Sequence, residues 1–183
     1  MRTLAERARG LKLRLVAMTD HKRGGDPRAL AARLPAGSWL IFRHYGVPDR
    51  SVLAIEVAKI CRARRIKLLV AGDFELAARI GAGLHLPDYP TAMRRRAKGL
   101  LTVSAHDRRG LRRAARLRAD AALLSPIFAT VSHPLARPLG LLALRRLVRQ
   151  ARVPVVALGG VSVERLAALR HSGVAGLASV GAF

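Results

Sequence analysis

Short apolar runs alternate with longer stretches of helical period from one end of the chain to the other. The runs Leu13–Met18, Trp39–Arg43, Lys67–Val70, Gly83–Leu86, Leu100–Ser104, Ala121–Ser125, Val155–Leu158 and Gly176–Ser179 have the length and apolar density of buried strands. Between them the periodicity predicts helices over Pro27–Leu34, Ser51–Arg64, Phe74–Ile80, Thr91–Ala97, Asp107–Leu117, Leu139–Gln150 and Val163–Arg170. Asp73, Asp107 and Ser162 stand where a side-chain oxygen can accept from the first unpaired N–H groups of a helix. Regular alternation predicts parallel strands with right-handed crossovers, and eight such units close into a compact α/β (β/α)8 barrel of the TIM type; an open doubly wound sheet is the rival. The barrel is short for its class, with a first helix of barely two turns and no eighth helix after Ser179. Its apolar flank then needs cover, either from Thr3–Gly10 or from a second copy, so a homodimer joined near the first and eighth strands is expected.

Composition leaves this architecture intact and narrows the setting. The 183 residues, 51% of them hydrophobic, fit one domain over 1–183 with a sizeable core and exclude a disordered chain. A single cysteine, Cys61, excludes an intramolecular disulfide and any multi-cysteine metal site, which points to a reducing, cytoplasmic setting. Lys or Arg interrupts every apolar run before the ~18 to 20 residues of a membrane span, so no membrane partner is expected. The net charge is +23, and 29 of the 34 cations are arginine, a bias that GC-rich coding also produces. Arg108, Arg112 and Arg116 repeat at i, i+4, with Arg109 and Arg113 beside them and Arg94–Arg96, Arg145, Arg146 and Arg149 on neighbouring helices. Such a stripe is either a solvated face or a polyanion contact. With 4% aromatic residues there is no stacking platform, so any nucleic-acid binding would be nonspecific.

In a barrel the chemistry lies at the C-terminal ends of the strands. Those ends carry Thr19 and Asp20, Arg43 to Tyr45, Asp73, His85 and Asp88, Ser104 and His106, then Ser125, Thr130, Ser132 and His133. The last two ends are glycine-rich: Gly159-Gly160 follows one strand, and Ser179-Val180-Gly181 ends the other. Loops after the seventh and eighth strands suit phosphate, because glycine lets backbone N–H groups approach the anion; a Gly-Gly is also a simple tight turn. On the phosphate reading, a carboxylate introduced at Gly160 is expected to block the anion while the fold survives.

Five landmarks, running from about Leu15 to the C-terminus, make the chain resemble the thiamine phosphate synthase and TenI family of small barrels. They are Leu15–Asp20, Gly83-Leu84-His85-Leu86, Ser125-Pro126-Ile127-Phe128-Ala129-Thr130, Pro154–Gly160 and Ser172–Val180. These match the family's L-x-x-V-T-D, G-V-H-L, G-P-x-F-x-T, P-V-x-A-x-G-G and A-G-x-x-G-x-A-x-x-S. The resemblance implies thiamine biosynthesis or salvage, by joining a pyrimidine diphosphate to a thiazole phosphate or at least by binding the latter. It places phosphate on Gly159, Gly160, Ser179 and Val180 under Thr130, Ser132 and His133, with Arg43 and Ser104 toward the other substrate.

The departures fall on chemistry. Where the family reads Q-x-R-x-K, only Arg43 remains, and where it reads N-D-R this chain has Ala71-Gly72-Asp73. The implied Mg2+ is left with Asp88, or with Asp73 if that carboxylate has shifted into place. A TenI-like thiazole tautomerase, taking its acid-base imidazole from His133, His85 or His106, is the runner-up. A catalytically silent ligand-binding or regulatory descendant and a basic nucleic-acid scaffold are the further alternatives.

Overall fold

The computed structural model describes residues 13–23, 25–88, 99–130 and 135–180. Its elements follow in the order β1 (Arg14–Met18), α1 (Pro27–Arg33), β2 (Trp39–Phe42), α2 (Arg50–Ala63), β3 (Lys67–Ala71), α3 (Phe74–Ile80), β4 (Gly83–Leu86) and β5 (Leu101–Ala105). Then come α4 (Arg108–Arg116), β6 (Ala121–Leu124), α5 (Gly140–Gln150), β7 (Val155–Leu158), a 3-10 turn (Val163–Arg165), α6 (Leu166–Arg170) and β8 (Gly176–Val180). Each strand pairs in parallel with its neighbours in sequence, and β8 returns to β1 through Leu15↔Leu177 and Ala17↔Ser179. That last pairing closes the barrel and excludes the open doubly wound sheet.

The strands read as nearly unbroken apolar runs because both of their faces are buried. Alternate residues divide between two layers. Val16, Met18, Ile41, Leu69, Leu123 and Val156 fill the interior. Leu15, Leu40, Phe42, Val70, Val103 and Leu124 face outward into the larger layer beneath the helices. In α2, Ala54, Val57, Ala58 and Cys61 recur at helical spacing and are the buried stripe. Burial pushes the Cys61 thiol up to about 12, so it packs as a small hydrophobe. Among the described residues no helix is long and apolar enough to cross a membrane.

Helix starts follow the expected caps in two of three places. Asp73 Oδ1 accepts from Leu76 N at 2.9 Å, and Asp107 Oδ1 accepts from Gly110 N at 2.8 Å. Ser162 makes no side-chain cap, and the chain after it begins with the 3-10 turn instead of one helix over Val163–Arg170. The second strand stops at Phe42 rather than Arg43, whose N–H donates to Thr19 Oγ1 at 2.9 Å. The expected helix over Thr91–Ala97 and the covering segment Thr3–Gly10 lie outside the described residues. Replacing the cap in Asp107→Ala should cost about 1 kcal/mol in urea unfolding. An unchanged midpoint would mean that water satisfies the first turn of α4 equally well.

Candidate active site

At the C-terminal ends of the strands lies a cavity of about 780 Å³ with two chemically different sides. One side is built by the ends of β7 and β8, where Gly159, Gly160, Ser179 and Val180 line the wall, and Thr130 lines the cavity from the loop whose Ala129 packs against Gly160. Another side carries Arg23 and Arg43, joined through Asp20, and His106 also lines the cavity. The sequence-predicted residues Arg43, Thr130, Gly159, Gly160, Ser179 and Val180 are therefore brought together in one space. Ser132 and His133 lie outside the described residues.

Glycine is required at the turn after β7. Gly159 and Gly160 take φ of +91° and +63°, and a Cβ on Gly160 would sit 2.5 Å from Ala129 O and 2.8 Å from Phe128 Cβ. This corrects the expectation for a carboxylate at Gly160. Any side chain there collides with the backbone of the neighbouring loop before it reaches a ligand, so the loop itself must move. Arg165 holds the same turn from beneath: its Nη1 donates to Gly160 O at 2.6 Å, and its guanidinium lies 4.6 Å from the centroid of Phe128.

The cationic side is positioned by a buried carboxylate. Asp20, at 7% exposure, accepts from Arg23 Nη2 at 2.6 Å, from Arg43 Nη2 at 3.3 Å and from Lys22 N at 3.0 Å. Burial alone pushes this carboxyl upward. The hydrogen bonds from Arg23 and Lys22 and the two guanidinium charges outweigh it, leaving the group below its ordinary value. Two arginines sharing one carboxylate leave a net positive charge facing the cavity, which suits an anionic ligand. Thr19 Oγ1, which accepts from Arg43 N, also lies 2.9 Å from His44 Nδ1. His44 stacks on Phe42, and burial holds its imidazole below the usual histidine range.

The remaining candidates sit elsewhere around the rim. Ser104 does not line the cavity; its Oγ is 3.1 Å from Nε2 of His85, whose Nδ1 is 2.9 Å from Thr102 Oγ1. His85 is 2% exposed, and burial, followed by the charges of Arg43 and Arg113, drives its imidazole down to about 3. A neutral imidazole offers one donor and one acceptor, and two hydroxyls satisfy both, so His85 is a packed core residue rather than an acid-base group. His106 lines the cavity, donates from Nδ1 to Ser125 O at 2.6 Å and places Nε2 3.6 Å from Asp88 Oδ2.

Of the two carboxylates considered for magnesium, Asp73 is committed elsewhere. Its Oδ1 caps α3 and its Oδ2 accepts from Arg50 Nη1 at 2.7 Å, while Arg50 also donates to Ala71 O and His44 O. Among the described residues Asp88 has only long contacts, 3.6 Å to His106 and 3.9 Å to Arg113, and its side chain is 45% exposed. Among the described residues no three His, Cys, Asp or Glu side chains gather around one point. Magnesium keeps several waters and takes one or two carboxylates plus substrate phosphates, so one carboxylate is enough by number, but Asp88 is not among the residues that line the mouth cavity.

Asp20, Arg23 and Arg165 were not singled out as site residues from the sequence. Asp20 stood among the polar strand ends, but in a chain with 29 arginines nothing local marked Arg23 or Arg165.

Fold and site together define a single-sheet β/α barrel with a glycine-walled, arginine-faced cavity at the C-terminal end of its strands. The sequence profile of the family described as thiamine monophosphate synthase matches residues 14–183. The chain belongs to that family. It is 33% identical to the thiamine-phosphate synthase of Chloroflexus aurantiacus over 92% of this chain and 84% of that protein. It is also 33% identical to the thiamine-phosphate synthase of Herpetosiphon aurantiacus, over 92% of this chain and 87% of that one. The solved thiamine phosphate pyrophosphorylase from Pyrococcus furiosus shares the fold, with a TM-score of 0.76 at 24% identity over 93% of this chain and 89% of the other.

Proposed function

We propose that this protein condenses a pyrimidine diphosphate with a thiazole phosphate to give thiamine phosphate and pyrophosphate. The observation that carries the reading is the two-sided cavity, whose glycine wall and arginine wall could each receive one anionic end of a substrate pair. The bond between the pyrimidine methylene carbon and the diphosphate oxygen breaks with its electron pair leaving on pyrophosphate. The thiazole ring nitrogen then supplies the pair that forms the new carbon–nitrogen bond. On this reading Gly159, Gly160, Ser179 and Val180 hold the thiazole phosphate, with Thr130 and, from outside the described residues, Ser132 and His133 closing over it. Arg43 and Arg23 neutralise the departing diphosphate, pre-aimed by Asp20 so that little reorganisation is needed as charge develops. Ser104, whose Oγ lies 3.1 Å from His85 Nε2 away from the cavity lining, is given no ligand contact on this reading. When bound, Mg2+ on Asp88 would add positive charge to the leaving group. A reducing cytoplasmic setting suits the buried Cys61 thiol.

The test is direct: purified protein incubated with thiazole phosphate, pyrimidine diphosphate and magnesium should yield thiamine phosphate. Asp88→Asn should raise the magnesium needed for half-maximal rate by about tenfold or more, with thiazole phosphate affinity little changed. Tight thiazole phosphate binding with no product at any magnesium concentration would defeat the synthase reading. Isomerisation of the thiazole without the pyrimidine would replace it with a tautomerase.

A further inference from the structure

Away from the mouth, a groove of about 960 Å³ runs along the jacket between α4 and the segment that leaves α5. Among the described residues none that lines it also lines the mouth cavity. Arg108, Arg109, Arg112 and Arg116 reach it from one face of α4, and Arg152 faces them from the other side. All five are exposed, and among the described residues none has a carboxylate within ion-pairing distance. Some arginines of the barrel are paired, Arg28 with Asp26 and Glu56, Arg50 with Asp73, and Arg23 and Arg43 with Asp20. Others, such as Arg145, Arg146 and Arg149, share the lack of a carboxylate partner among the described residues but do not line a common groove. An arginine-rich composition explains abundance. It does not explain five unpaired guanidiniums converging on one concavity. Like charges at i, i+4 also destabilise the helix that carries them, a cost that a bound anion reverses.

The geometry points to a binding groove for the phosphodiester backbone of a nucleic acid. Arg108, Arg112 and Arg116 form a row with steps of about 6 Å and a span of about 12 Å, which is too long for one phosphate and suits successive phosphates of a strand. The positive end of the α4 dipole adds to the field at Arg108. A membrane surface fits less well, because the groove is concave and its apolar lining is Leu111, Ala115 and Ala151. The large exposed hydrophobics Tyr45, Val52, Ile55, Leu135 and Leu142 all lie elsewhere. Among the described residues no aromatic ring lines the groove to stack a base, so the contact reads charge and spacing without reading sequence.

The test uses labelled oligonucleotides of about 20 residues, single-stranded and duplex, with anisotropy followed from about 50 to about 200 mM salt. The triple substitution Arg108→Glu, Arg112→Glu and Arg116→Glu is compared with Arg145→Glu, Arg146→Glu and Arg149→Glu on α5, which changes net charge equally outside the groove. The groove variant should bind on the order of 100-fold more weakly at low salt, with a salt slope flatter by about 2, while the α5 variant keeps the wild-type slope. The two oligonucleotide forms distinguish a strand from a duplex as the preferred source of phosphates. Melting temperature and thiazole phosphate binding control for folding, and Gln in place of Glu serves if the reversed charges unfold α4. Equal losses in both triples would show that +23 alone drives association, and an unaffected groove variant would place binding elsewhere. Attachment to phosphatidylglycerol vesicles without oligonucleotide binding would also overturn the proposal.

Discussion

Gly160→Ala should weaken thiazole phosphate binding by about 100-fold, close to 3 kcal/mol, although it introduces one methyl group and no charge. The left-handed φ of +63° costs an L-residue about 1–2 kcal/mol by itself. The Cβ cannot be placed without displacing Ala129 O and Phe128 Cβ, and the Arg165 Nη1 that bonds Gly160 O lies 2.7 Å from the same point. The turn must therefore shift, and with it the wall that faces the ligand. Gly37→Ala separates strain from displacement: its φ is +82°, yet nothing lies within 4 Å of the added Cβ. That variant should lose about 1 kcal/mol of stability and none of its affinity. Calorimetric titration with a thermal melt of each protein decides the matter. A folded Gly160→Ala protein with wild-type affinity would remove the glycine turn from the binding site.

The second large effect is on stability against pH. His85 is neutral in the folded barrel, with its imidazole driven down to about 3, and regains an ordinary value near 6.5 on unfolding. Between those two values the unfolded chain binds a proton that the folded chain refuses, so stability falls as pH drops through 6.5 and continues falling toward 3. Each pH unit in this window costs about 1.4 kcal/mol for the one group. His44, also lowered, adds in the same direction just below its ordinary value. Asp20 and Asp26, both held below their ordinary value of 3.8, act only at the acid end of the range. Urea unfolding at pH 7, 6 and 5 should show a steady loss, and His85→Gln should reduce its slope by one proton while lowering stability at pH 7. A wild-type barrel equally stable at pH 7 and 5 would mean that the core admits a charged imidazole.

The glycines of the cavity wall and the barrel strands were legible in one dimension for the same reason: each depends on local constraints. A strand buried on both faces needs an unbroken apolar run, and Val155-Val156-Ala157-Leu158 has one. A turn with positive φ needs glycine, and Gly159-Gly160 supplies two. Asp73 and Asp107 announced helix starts because a cap reaches only three residues along the chain. The eight strands interleaved with helices settled the architecture, since consecutive parallel strands joined by short crossovers have few ways to bury both faces.

What the sequence left open are the relations between residues far apart in the chain. Asp73 was a possible metal carboxylate until Arg50, 23 positions earlier, took its second oxygen. His85 could have faced the mouth, and the closed barrel instead turned it inward between Thr102 and Ser104. Arg23, Arg43 and Asp20 became one cationic wall only because β1 and β2 are neighbours, and Arg165 found Gly160 O only once the 3-10 turn had formed. Charge and hydrogen-bonding capacity are properties of a residue type and can be counted from sequence. Which partner cancels a charge, or satisfies a bond, depends on distances of a few ångströms that the closure of the barrel alone sets.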